Sequence, residues 1–156
     1  MDRLDYIENE TRATAAFHIA GAEVLQKEAN TLVSLLLAAQ GGGVGLGLSL
    51  VQREAPLWML GALLAGIVYL LVLTLVVVRG CLWARDLYPP ANEPMNLGLD
   101  DDDSLDALRK AQLRTAQDMI DRNRQRNETV AWWLNRSRLA AAGVVPVVIV
   151  AARVFY

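Results

Sequence analysis

The side chains able to carry chemistry are few and scattered. There is one histidine, His18, and one cysteine, Cys81. A zinc site needs several His, Cys or carboxylate ligands at recurring spacings, and the sequence offers none. A lone cysteine excludes an intrachain disulfide and reads as a small apolar residue. No serine sits in a nucleophile-elbow pattern. The run Asp100–Asp103 suggests calcium, but it lacks the D-x-D-x-D-G spacing and the glutamate at the twelfth position. The same run suits a helix start, with Asp103 or Ser104 as cap and acidic groups at the positive end of the dipole. The stretch GGGVGLG from Gly41 to Gly47 suggests a phosphate loop, yet it lies inside an apolar segment without a Lys-Ser/Thr partner. Arg122, Arg124 and Arg126 offer guanidinium groups to a phosphate ligand, although only Arg122 and Arg126 share a helix face. A solvated or acid-paired face is the competing reading of that run. The expectation is a protein that is not an enzyme, with no catalytic residues, no metal and no cofactor.

The elements that would hold these residues follow from a segregated composition. Hydrophobic residues make up 54% of the chain and charged residues 21%, at a net charge of -2. No charge occurs from Ala29 to Val51, from Ala55 to Val78 or from Leu139 to Ala152. A soluble domain spreads its apolar residues at period 2 or 3.6; here they come in blocks. No basic excess is present to hold nucleic acid. The first residues lack a basic start followed by an apolar core, so no signal peptide is expected and the first membrane helix inserts itself.

Four segments result. Residues 1–30 read as an amphipathic helix, with Leu4, Ile7, Phe17, Ala20 and Val24 partly at 3-and-4 spacing. Residues 31–79 read as a transmembrane hairpin, with spans near 31–51 and 56–78 and a connection of about four residues; about twenty apolar residues cross a bilayer core. Residues 80–138 hold a loop, 87–99, rich in proline, then a long helix from about Ser104. Its stripe is Leu113, Ala116, Ile120, Asn127 and Leu134, interrupted by Asn123. Residues 139–156 form a third membrane segment, too short alone and long enough when continued from the helix before it, with Pro146 as a kink site. A half-crossing helix is the alternative there. The fold class is therefore an all-α membrane protein with two to three transmembrane helices, an N-terminal amphipathic helix and a long cytoplasmic helix running into the last apolar segment.

Within the spans, small residues point to helix packing: Gly41, Gly43, Gly45 and Gly47, and Gly61 with Ala65. Gly43 and Gly47 share a face expected to hold a partner chain. Ser34, Gln40 and Thr74 are the candidate pore-lining residues; the same groups suit hydrogen bonds between helices. Asn123, Asn127, Arg122 and Arg126 are candidates for assembly or ligand binding. Of fifteen basic residues, three lie in 1–30 and ten between Arg79 and Arg138. The positive-inside rule places both stretches, and the N-terminus, in the cytoplasm.

Three stretches carry a family resemblance. QKEANTLVSLLLAAQGGGVGLGL resembles the amphipathic helix and first membrane helix of the Pycsar-type transmembrane effectors of bacterial antiphage defence. ARDLYPPANEP resembles the segment after their second membrane helix. LRTAQDMIDRNRQRNETVAWWLNRSRLAAA resembles their long helix with a mid-helix Asn. The resemblance implies a multi-pass protein of the bacterial inner membrane that forms a homo-oligomer and permeabilises or disrupts that membrane, a pore-forming effector or ion channel of antiviral defence. Its implied partners are membrane lipid, further copies, and a phage-sensing or nucleotide-signalling partner. A non-toxic membrane anchor recruiting a cytoplasmic partner, and a holin-like lysis protein, are the alternatives.

Overall fold

The structure, a computed structural model, describes residues 3–83 and 104–156. These residues are helical, with no strand among them. The order is α1 (Arg3–Gln52), α2 (Leu57–Val77) continued by a π-helical turn (Val78–Leu82), α3 (Leu105–Ala142) and α4 (Val144–Phe155). The expected amphipathic helix and first membrane span are one uninterrupted 50-residue helix. Nothing between Arg3 and Gln52 stops a helix: there is no proline, and the glycines sit in an apolar stretch where neighbouring helices replace lost propensity. The proline-rich loop 87–99, Asp100–Asp103 and the ARDLYPPANEP stretch lie outside the described residues.

The helix ends follow from local chemistry. Ser104 supplies the cap of α3: the Ala107 N–H donates to its Oγ at 3.3 Å. At the end of α1 the Ala55 N–H donates to the Leu50 carbonyl and the Glu54 N–H to that of Val51. This is a Schellman motif, and Glu54 takes its left-handed position at φ 53°. Pro56 follows as the N-cap of α2, and α2 is expected to lose nothing there because a helix start has no partner for that N–H. Between α3 and α4 the axis bends by 42°. The break falls at Gly143, not at Pro146. Pro146 cannot donate to Ala142, and its ring crowds that carbonyl, so the distortion lands on the turn before it.

By packing, the chain divides into two compact units, Met1–Val24 with Ala84–Thr129, and Leu25–Trp83 with Val130–Tyr156. In unit 1 the described parts of α1 and α3 run parallel, with Asp5 and Glu8 at Arg109 and His18 at Asn127. The buried apolar residues are Ala15, Ala22 and Ile120. The expected apolar stripe on the start of α1 is corrected here. Phe17 is 73% exposed and Val24 56%, and Ile7 and Ala20 also face outward. The inward positions are small or polar instead, because an alanine every seventh residue lets two helices approach closely. The stripe on α3 does face inward at Ile120, beside a buried Asn123.

Unit 2 is a three-helix arrangement of the rest of α1, of α2, and of α3 continued by α4. Its core is Ala29, Leu36, Leu70, Leu73, Val77, Cys81, Val130 and Leu134. Here α2 runs antiparallel to both neighbours: Gln40 meets Thr74, and Phe155 lies at Gly61 while Trp133 lies at Gly80. Two helices are long and apolar enough to cross a membrane, Arg3–Gln52 and Leu57–Leu82, and a third if α3 and α4 count as one bent span.

Candidate functional site

The polar groups inside unit 2 are few and close to satisfied. Gln40 Nε2 donates to Thr74 Oγ1 at 2.9 Å. Thr74 is buried and passes its own proton to the Leu70 carbonyl at 2.8 Å. The amide, the hydroxyl and a backbone carbonyl thus form a chain between α1 and α2, which suits a low-dielectric interior. Two of the three candidate pore-lining residues are therefore joined to each other inside the bundle. The third, Ser34, is exposed on α1. The hydroxyl of Ser137, also buried, has no hydrogen-bond partner among the described residues.

The glycines of α1 sort onto two faces. A Cβ on Gly43 would meet Ile67 at 3.0 Å, and one on Gly47 would meet Leu63 at 3.3 Å. These two, expected to hold a partner chain, hold α2 of their own chain. A Cβ on Gly41, Gly42 or Gly45 would meet nothing within 4 Å. Ser34, Ala38, Gly41 and Gly45 follow one another at spacings of four, three and four, so they share a face, and all four are exposed. The face is a shallow groove between the larger exposed side chains of Leu37 and Leu48 on one side and Leu35 and Leu46 on the other.

On α2 the small residues admit α4. A Cβ on Gly66 would lie 2.8 Å from Val148, and one on Gly61 2.8 Å from the Phe155 ring. Ala65 is half-buried beside them. Trp58 packs edge-on against Tyr156 at 6.0 Å, which brings the end of α4 level with the start of α2. The helix break is held from the side: the Tyr69 hydroxyl donates to the Ala140 carbonyl at 2.7 Å, which also accepts the Gly143 N–H at 2.8 Å. A side chain at Gly143 would strike that hydroxyl at 2.9 Å. Sequence reasoning missed this contact. A tyrosine inside a charge-free span, paired with Gly and Pro in another, was the available signal, since a buried phenol needs a partner.

In unit 1 Asn127 Nδ2 donates to the His18 carbonyl at 2.8 Å. Asn123 is buried, and Arg122 lies exposed. Arg126 is half-buried, with its Nε shielded and without a partner among the described residues. Asn127 thus faces α1 and Asn123 is buried, while Arg122 and Arg126 are not brought into one site with them. Arg109 grips both acids of the first turns of α1, at 2.6 Å to Glu8 and 2.7 Å to Asp5. Its hydrogen bond holds the Glu8 carboxyl below the ordinary carboxylate range, and the same contacts raise the pKa of Arg109. Comparison with protein families, curated proteins and solved structures finds no match for this chain.

Proposed function

We propose that this chain is a membrane effector that assembles with copies of itself through the open glycine face of α1 and permeabilises the bilayer around it. The observation that carries the reading is that face: Ser34, Ala38, Gly41 and Gly45, exposed in the middle of an apolar span with no atom near the glycines. In lipid, helices associate by close backbone approach and not by hydrophobic drive, so small residues at a bare face favour a helix partner over acyl chains. Exposure of Leu64, Leu75, Val145 and Ile149 around unit 2 suits a lipid environment and would be an uncovered apolar patch in water. The levelling of α4 with the start of α2 supports a third crossing; the basic residues of 1–30 and 79–138 support an N-terminus in the cytoplasm, and the bacterial inner membrane as the setting comes from the resemblance. The role in antiphage defence rests on the three resembling stretches alone.

One observation favours a second reading, a membrane anchor that recruits a partner. Phe17 and Tyr6 stand exposed on unit 1, outside the charge-free stretches of the sequence. The two readings separate in one experiment. A Cβ at Gly41 or Gly45 meets nothing within 4 Å among the described residues, so insertion and folding are expected to survive the double change Gly41→Leu with Gly45→Leu. Crosslinking in membranes and a membrane-potential dye after induced expression are then read together. The effector reading expects wild type to show an oligomer ladder and depolarisation, and the variant to lose both. A wild type that leaves the potential unchanged supports the anchor. An unchanged ladder in the variant rejects the face.

A further inference from the structure

Near the start of α1, within unit 1, a cleft of about 470 Å³ is lined by Arg3, Leu4, Ile7, Lys110, Leu113 and Arg114. We propose that it binds a small amphiphilic organic anion: one phosphate or carboxylate group attached to a compact apolar body. This goes beyond the membrane activity proposed above and does not depend on it.

The lining divides by chemistry. Leu4, Ile7 and Leu113 supply an apolar floor that the chain leaves open, with Ile7 37% exposed. Arg3, Lys110 and Arg114 supply three cations, and among the described residues no acid lines the cleft. Lys110 and Arg114 are four apart on α3, so they share a face and repel; Arg3 adds a third charge from α1. Asp5 and Glu8 turn to Arg109. No ion pair is formed by Arg3, Lys110 or Arg114 among the described residues. A cleft of a few hundred Å³ with an apolar floor and a few convergent charges is the usual form of a small-molecule site. Two of its cations are guanidinium groups, which suit the planar, paired recognition of phosphate and carboxylate. The floor sets the rest of the ligand: a bare inorganic anion would leave Leu4, Ile7 and Leu113 wet.

A soluble anion and a lipid headgroup share this chemistry, and the test separates them. The test uses the full chain in nanodiscs and 1-naphthyl phosphate as probe, with empty nanodiscs subtracted. Saturable binding is expected, weakened by salt. Lys110→Glu with Arg114→Glu should weaken it at least tenfold, and Lys110→Gln with Arg114→Gln should weaken it less. Arg53→Glu, the same charge change in the turn between α1 and α2, should leave it unchanged. Ile7→Ser with Leu113→Ser should weaken naphthyl phosphate binding and leave the weak binding of inorganic phosphate alone. Amide exchange over residues 3–24 checks that each variant keeps unit 1 folded; the Gln pair serves if the Glu pair does not. The proposal is overturned by absence of saturable binding to wild type or by binding that survives both charge changes. Competition from anionic lipid in the nanodisc assigns the cleft to a headgroup, and its absence assigns the cleft to a soluble anion.

Discussion

On α1 the seven-residue repeat that buries Ala15 and Ala22 in unit 1 buries Ala29 and Leu36 in unit 2. On α3 the matching repeat buries Ile120 and Asn123 in the first and Val130 and Leu134 in the second. One spacing therefore serves two different interiors. Unit 1 closes on an arginine gripping two carboxylates and an asparagine on a backbone carbonyl. Unit 2 closes on methyl groups, glycine gaps and one amide-to-hydroxyl pair. On the membrane reading proposed above, the difference teaches what each surrounding rewards. In water, two helices with few large buried side chains need polar contacts to fix their register. In lipid, burying apolar area brings nothing, and shape fitting decides.

The comparison breaks most severely where shape alone holds the bundle. Gly66→Leu puts a side chain where a Cβ already lies 2.8 Å from Val148. Overpacking of this kind costs about 1–3 kcal/mol. Unfolding of purified protein in detergent should show the loss, with amide exchange rising along α4 and unchanged over residues 3–24. Loss spread evenly over both units would show that the two interiors are not separate.

A smaller effect of the opposite location is expected from charge. Arg109→Gln leaves Asp5 and Glu8 without their guanidinium, so exchange over residues 3–24 should rise while α2 and α4 stay protected. Acid should act in the same place. The Glu8 carboxyl is held below its ordinary value of 4.5 by its hydrogen bond from Arg109. Its contribution is complete above that ordinary value and is lost as pH falls through the lowered one. Protection of unit 1 should therefore decline below about pH 4.5 in wild type, and Arg109→Gln should flatten that decline. A decline of equal size in both proteins would remove this ion pair from the account.

The smallest expected effect sits in the turn between α1 and α2. Glu54 holds a left-handed conformation at φ 53°, which costs an L-residue roughly 1–2 kcal/mol. Glu54→Gly removes that strain and adds unfolded-state freedom, for a net gain below about 1 kcal/mol. A slightly raised unfolding midpoint, with oligomer state unchanged, is the expected reading; a lowered midpoint would mean the glutamate side chain holds the turn.

Much of this was legible in the residues. Charge-free blocks gave the helices apolar enough to cross a membrane, the Asp103–Ser104 pair held the cap between two residues, and spacing gave the stripe on α3 its inward face, because each depends on local composition or spacing. The interior of α1 was not legible. Its large residues, Phe17 and Val24, drew the eye to a stripe that faces outward, while the working face is a string of alanines without distinctive chemistry. Which of the two glycine rows meets α2 also escaped, since it depends on where α2 arrives. The pairing of Gln40 with Thr74 was one of two readings that polarity alone left open. Tyr69 at the Ala140 carbonyl needed the bend in three dimensions.

The π-helical turn at Val78–Leu82 closes with the Trp83 N–H donating to the Val78 carbonyl at 2.7 Å. Such a turn holds one residue more than an α-helical turn. It is in effect an insertion absorbed without a loop. Deleting a single residue from it would let α2 run on as a regular helix at little cost to its hydrogen bonds. Five residues of the π-helical turn sweep about the angle that four sweep in an α-helix, so Trp83 would keep its present face. Gene variants of this length difference would keep both their apolar span and the edge at its end.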